Sequence, residues 1–255
     1  MAIATGTRGA LAVSSLIALN FPMSLETPDD YFQLGLTLYE RGQVEDAAVA
    51  WRAAMVGGDP DIAVTAAFNL GIMLKHIGDL DGADQAWQIA LSHGVEDASS
   101  QAGIALAGLR KSRGNLEGAA GALYAVLELK DPRHLPDAAL NLGVIERELG
   151  DLEVAMEAFS AASLSTDEPV RSMAMHNLGV LATELGKFAE AEKAFLAVVD
   201  DDDSDLAPKA KFDLGFMYVK AGEDEKARRV WSELVDSGHP AVAPLARDNL
   251  KLLDQ

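Results

Sequence analysis

Histidine is the side chain best suited to acid–base work near neutral pH or to metal ligation, and this chain has five: His76, His93, His134, His176 and His239. No two stand three or four residues apart, the spacing that brings two imidazoles to one side of a helix, so no metal site is expected. Cysteine is absent, which removes disulfides, thiol catalysis and thiolate ligands together and leaves the compartment open. No glycine-rich phosphate loop, HExxH or Gly-x-Ser-x-Gly segment occurs. The run from Asp200 to Asp203, followed by Asp205, has carboxylates enough for calcium. It lacks the glycine and terminal glutamate of a calcium loop, and reads as a solvated connection. The residues thus give no catalytic group and no cofactor, and a non-enzymatic role is expected.

Forty acidic residues against 21 basic ones give a net charge of -19. A field of that sign repels phosphate backbones and anionic lipid, so nucleic acid is not expected as a partner, and neither is a membrane. Residues Gly9 to Phe21 form an apolar run too short to span a bilayer. They read either as a cap over the first element of a repeat array or as a signal peptide, although NFPMSLE offers no convincing cleavage site. The cytoplasm is the expected location, with export as the alternative if the first 25 residues are a signal.

What must position any binding residues is a repeat with a period of 36. Glycine recurs at Gly42, Gly78, Gly114, Gly150, Gly186 and Gly222, and alanine five residues after each, from Ala47 to Ala227. Leucine holds Leu34, Leu70, Leu106, Leu142, Leu178, Leu214 and Leu250; glycine follows it in five of the first six copies and Ala107 in the other. A large apolar residue stands at Trp51, Trp87, Leu123, Phe159, Phe195 and Trp231.

Each column has a mechanical reading. Tyr31, Leu34, Gly35 and Leu38 make one helical stripe and Ala47, Trp51, Ala54 and Met55 another, so each copy holds two helices. The glycine of the Gly42 column suits the left-handed residue that ends the first helix, and Asp79, Asn115 and Asp151 are N-caps for the second. The glycine after leucine allows the paired helices to approach, and the aromatic is expected to fill the space between one copy and the next. Asp59-Pro60, Asp131-Pro132 and Glu168-Pro169 are expected to start the following helices.

The series Leu70, Gly71, Gly78, Ala83, Trp87, Ala90 resembles the tetratricopeptide repeat, in a 36-residue variant. The resemblance covers roughly residues 28 to 238, with a weak third copy. It implies an all-α, right-handed solenoid of six helix-turn-helix repeats, at about 28–59, 60–95, 96–131, 132–167, 168–203 and 204–239. Residues 1–27 precede them, and 240–255 form a C-terminal capping helix.

In that family, successive first helices line a concave surface. The resemblance places there the residues two before the leucine, among them Phe32, Phe68, Leu140, His176 and Phe212, with Leu36, Ile72, Val144, Val180 and Phe216 two after it. Asn69, Asn141 and Asn177, directly before the leucine, resemble the asparagine ladder of O-GlcNAc transferase repeats. An amide side chain offers the donor and acceptor that a peptide main chain needs, though it could equally bond a neighbouring helix. Lys75, Lys111 and Arg147, five after the leucine, could receive acidic groups, or could be ordinary solvated surface with Glu148 and Glu184 nearby. A chaperone-type carboxylate clamp is not expected, because the place where it needs lysine holds mostly Phe, Ile and Leu. The expected function is a protein–protein interaction scaffold binding a partner segment in this groove; the alternative is a self-assembling component that uses the apolar face to form homo-oligomers.

Overall fold

The computed structural model describes residues 26–201 and 204–253, so the N-terminal apolar run, with its cap and signal alternatives, and Asp202 and Asp203 of the acidic run lie outside the described residues. Thirteen α-helices and no strands occur among the described residues, and none of these helices is long and apolar enough to cross a membrane. The chain divides into two compact units at His134 and Leu135.

The first unit holds α1 (Pro28–Glu40), α2 (Val44–Met55), α3 (Pro60–His76), α4 (Leu80–Ser92), α5 (Glu96–Ser112) and α6 (Leu116–Leu129). The second holds α7 (Leu135–Leu149), α8 (Leu152–Ala162), α9 (Glu168–Glu184), α10 (Phe188–Val199), α11 (Ala207–Lys220), α12 (Asp224–Ser237) and α13 (Ala243–Leu253). Each unit is an α-solenoid: odd helices pack on the even helices that follow them, and each even helix packs on the first helix of the next pair in its unit. First helices also touch one another, α1 with α3 and α3 with α5, then α7 with α9 and α9 with α11. Second helices do so less, which turns the first helices of each unit toward its concave side.

The turns form as their residues require. Gly42, Gly78, Gly114, Gly150, Gly186 and Gly222 all have φ between 71° and 91°, the left-handed region where a Cβ is strained. The cap of the second helix follows at once: Asp79, Asn115 and Asp151 accept from the backbone N–H three residues on, at 2.9, 2.9 and 3.2 Å. In these three repeats two residues thus reverse the chain and satisfy one of the orphan amides of the new helix.

The aromatic column packs within its own repeat as well as in the core shared with the next copy, where Phe195 joins Ala210 and Leu214. Each ring lies against the glycine of its own repeat's first helix. A Cβ added to Gly143 or Gly179 would fall 2.6 or 2.8 Å from the ring of Phe159 or Phe195, and one on Gly35, Gly71 or Gly215 would overlap the indole of Trp51, Trp87 or Trp231. Trp87 and Trp231 also donate their indole N–H to the carbonyls of Phe68 and Phe212, at 3.2 and 3.0 Å. The third copy departs from both columns together: Ala107 replaces the glycine and Leu123 the ring, and both are buried.

Proline opens two of the three helices expected of it. Pro60 and Pro169 stand in the first turns of α3 and α9, whereas α7 begins at Leu135, three residues past Pro132. The reason lies just upstream: Lys130 is left-handed (φ 57°) and ends α6, and the side chain of Asp131 turns inward to accept from the N–H of Arg133 at 3.1 Å. Gly238, which ends α12, is left-handed in the same way, and α13 likewise starts after a Pro240 turn. In α13, Ala243 and Ala246 are buried while Leu245 and Leu252 are exposed.

Polar locks fix the register between copies. Arg110 of α5 makes a two-pronged contact with Asp84 of α4, 2.9 Å in each arm. At the matching place in the second unit, Tyr218 of α11 donates to Glu192 of α10 at 2.6 Å. Burial and that carboxylate push the Tyr218 hydroxyl well above its usual pKa, so it stays a donor at any physiological pH.

The glycine–ring pairing yields a direct test. Leu123→Trp alone sets an indole against the Ala107 methyl and is expected to lower unfolding stability by about 1–3 kcal/mol. Adding Ala107→Gly is expected to recover most of that loss, a coupling of about 1 kcal/mol or more in a urea double-mutant cycle. Additive costs would show that the ring does not need the glycine.

Candidate functional site

On each first helix the stripe facing the concave side of its unit combines the residue before the leucine with those two and five to six after it. The structure sorts the candidate residues into three groups. Phe32, Phe68 and Phe212 are half-buried, with Phe212 tilted against Trp231 at 6.1 Å between centroids. They floor the groove more than they line it. Leu140 and His176 are buried at 8% and 7% exposure, so neither presents to a ligand. The apolar residues that do face out stand four residues further on, where Ile72 and Phe216 are 43% and 49% exposed. One helical turn moves the column from the seam between neighbouring first helices to the open face.

His176 is withdrawn because the next repeat takes it. Its Nε2 lies 2.7 Å from Asp213 Oδ2 on α11, and its ring meets Phe195 edge-on at 5.9 Å. Lys209 Nζ is 3.0 Å from the same carboxylate oxygen and 2.8 Å from Nε2. That nitrogen can donate to Asp213 or accept from Lys209, but not both. Burial works to raise the Asp213 pKa, yet the hydrogen bonds and charges of His176 and Lys209 outweigh it and hold the carboxyl below its usual range.

The asparagines divide as well. Asn141 is exposed and donates its amide to the carbonyl of Asp137 on its own helix, at 2.9 Å. Asn69 and Asn177 are half-buried, and their side chains have no hydrogen-bond partner among the described residues.

The cations are more committed than their spacing implies. Arg147 pairs with Glu184 of the next first helix, both partners partly exposed. Lys75 is exposed and stands over the Trp87 ring, 5.9 Å from its centroid. Lys111 is half-buried on α5.

These contacts share a spacing that a search at helical intervals misses. Tyr39 with His76, Asp97 with His134, Arg147 with Glu184 and His176 with Asp213 are each 37 residues apart, one more than the period. In a stack with period 36, position n of one first helix therefore meets position n+1 of the next. Reading the columns with that offset finds all four pairs in the sequence.

One of them builds an unexpected cluster. His134 Nε2 is 2.8 Å from Asp97 Oδ1 and 4.0 Å from Asp131 Oδ2, so two carboxylates and an imidazole converge within 4.8 Å. The cation they would attract is already supplied by the chain. The Arg133 guanidinium reaches Asp131 at 2.9 Å and Asp97 at 3.5 Å. The His134 hydrogen bond, with Gln101, lowers the pKa of Asp97, and the Arg133 hydrogen bond lowers that of Asp131. The cluster is an electrostatic clasp at the end of the first unit.

Comparison with known proteins agrees with this architecture. The tetratricopeptide repeat family model matches residues 114–169 and 176–241. A crystal structure of MamA superposes with a TM-score of 0.57 at 18% identity, over 68% of this chain and 90% of that one. A tetratricopeptide repeat protein from Parabacteroides merdae gives 0.53 at 17% identity, over 89% and 99%. PilF of Pseudomonas aeruginosa gives 0.55 at 16%, over 88% and 96%. At such identities the likeness is one of fold. No curated protein matches the chain in sequence.

The Asp213 contacts carry a pH dependence. A depressed native pKa gives stabilisation that is present above the ordinary carboxylate value and lost as pH falls through the native one. Asp213→Asn is expected to cost about 1–3 kcal/mol at pH 7, since it weakens a charge-assisted bond to a buried imidazole. It is also expected to flatten the fall of the urea midpoint below about pH 4. An unchanged acid limb would show that the pairing contributes nothing to stability.

Proposed function

We propose that this chain, a tetratricopeptide repeat protein by its matched segments and its fold, is a non-enzymatic adaptor that grips an extended segment of a partner polypeptide on its first-helix faces. The tetratricopeptide fold is in general a scaffold for protein interaction, and its surfaces here hold the parts such a grip requires. The observation that carries the reading is the pair Asn69 and Asn177: half-buried amides without a protein partner, one on each unit, beside apolar residues that face out. These amides keep access to solvent, so a ligand can reach them, and the main chain of an extended peptide supplies both a donor and an acceptor to such a group.

Ile72, with the Lys75 ammonium one turn away, would contact side chains of the bound segment in the first unit; Val180 and Phe216 would do so in the second. Arg147 and Glu184, joined to each other at partly exposed positions, would steer rather than anchor, since exposed pairs are worth little in free energy. The net charge of -19 favours a partner segment that is neutral or basic overall.

Affinity capture with the wild type and with Asn69→Ala/Asn141→Ala/Asn177→Ala, both shown folded by circular dichroism, tests the proposal. The expected result is a partner whose retention drops at least about tenfold, or ~1.4 kcal/mol, in the triple variant. Equal retention would place recognition on another surface. Concentration-dependent light scattering that the triple variant abolishes would identify the ligand as a second copy.

A further inference from the structure

The second unit has another groove, on the side its second helices form, away from the concave face. α8 and α10 stand apart there over Met175 and Leu178 of α9, and leave a channel of about 880 Å³. Among the described residues second helices barely touch one another: α4 and α6 meet, whereas α8 and α10, like α2 with α4 and α10 with α12, make no comparable contact. α8 is also the shortest second helix, ending at Ala162, and Leu164 in the loop after it is 83% exposed at the channel's end.

The channel is apolar inside and charged on its rims. Met156, Ala161 and Leu164 line one side, Ala194 and Ala197 the other. Methionine adapts its shape to whatever it packs against, and two of them, Met156 and Met175, lie here. Glu153 and Glu157, one turn apart on α8, form an acidic rim; Lys187 and Lys193, with Glu190 between them, form the opposite rim. No ion pair joins these rims among the described residues. The hydrogen-bond partner of the Lys187 ammonium is the Met156 sulfur at 3.5 Å, a weak acceptor for a full charge.

The backbone settles the shape of the occupant. Apart from the turn at Ser163 and Leu164, the walls and floor are α-helices whose amides and carbonyls are bonded internally; no asparagine or glutamine lines the channel, and its neutral polar side chains are Ser160 and Ser163, of which Ser163 already donates to the Ser160 carbonyl. An extended segment laid on this floor would leave its own main-chain groups unpaired, whereas a helix satisfies its own. We propose that the channel between α8 and α10 is a docking site for one amphipathic helix of a partner protein. The apolar face of that helix packs on Met156, Leu164, Met175 and Leu178. Its basic flank faces Glu153 and Glu157, and its acidic flank faces Lys187 and Lys193. This site is separate from the concave face, and neither reading depends on the other.

The probe is a fluorescein-labelled stapled helical peptide of about four turns, with leucines at i, i+3, i+4 and i+7, arginines on one flank and glutamates on the other. A second peptide carries glutamates on both flanks. Fluorescence anisotropy with the full chain is expected to show saturable binding of the mixed peptide and at least about tenfold weaker binding of the all-acidic one. Ala161→Arg/Ala197→Arg, at two exposed helix positions that leave the core untouched, is expected to abolish binding of the mixed peptide. Glu153→Lys/Glu157→Lys is expected to invert the preference toward the all-acidic peptide, a gain that damage to the fold would not produce. Asn69→Ala/Asn141→Ala/Asn177→Ala is expected to leave peptide binding unchanged.

Failure of the wild type to bind either peptide would overturn the proposal, as would binding that survives the paired arginines. A wild-type dimer in light scattering that those arginines convert to monomer would overturn it too, by showing that a second copy fills the channel.

Discussion

Everything in the two stacks depends on a ring pressed against a glycine. In five of the six repeats the aromatic side chain of the second helix sits where the first helix has no Cβ, and that contact sets how closely the pair can approach. Once the pair is close, alanine is the residue that fits along the rest of the seam. Ala47, Ala83, Ala119, Ala155, Ala191 and Ala227 are all fully buried. The third copy obeys the constraint by departing from it twice: Leu123 gives up the ring, and Ala107 takes the space the ring no longer needs. A substitution in one column without the other would break the pair, so the two columns behave as one.

With the pairs fixed, the rise from one repeat to the next decides which side chains meet between first helices. An offset of period plus one sets a cation or imidazole beside a carboxylate of the adjacent repeat in three places within the units, and Tyr39 beside His76 in a fourth. These contacts draw charge away from the open face. His176 shows the consequence most clearly, since a residue two places before the leucine becomes part of the seam while Phe216, four residues after Phe212, becomes surface.

The period, the helix pairs, the left-handed glycines and their caps were legible in the sequence because each depends on residues within one repeat, where spacing and chemistry leave little choice. The site was legible only in part. The family resemblance supplied the expectation that first helices face the groove, but telling floor from surface requires knowing which neighbour each side chain meets, and that information lies 37 residues away. The aromatic column was legible as packing, but its contact within the repeat was not, because its partner, the glycine of the same repeat, has no side chain to suggest contact. Pro132 misled because a left-handed Lys130 and an inward-turned Asp131 delay the helix that proline would otherwise open.

The two surfaces of the second unit then differ in what backbone they can accept, although both are built from helices. Beside Phe216 and Val180, Asn177 holds an amide without a partner, and amide-bearing chain in extended form is the complement to it. Between α8 and α10 no side-chain amide lines the wall, which is why the proposed occupant there is a helix, whose own hydrogen bonds are closed. The second helices are free to offer such a channel because the ring–glycine contact lies on their other side. Holding each pair together at one seam leaves the outer faces unconstrained, and between α8 and α10 that face is a channel.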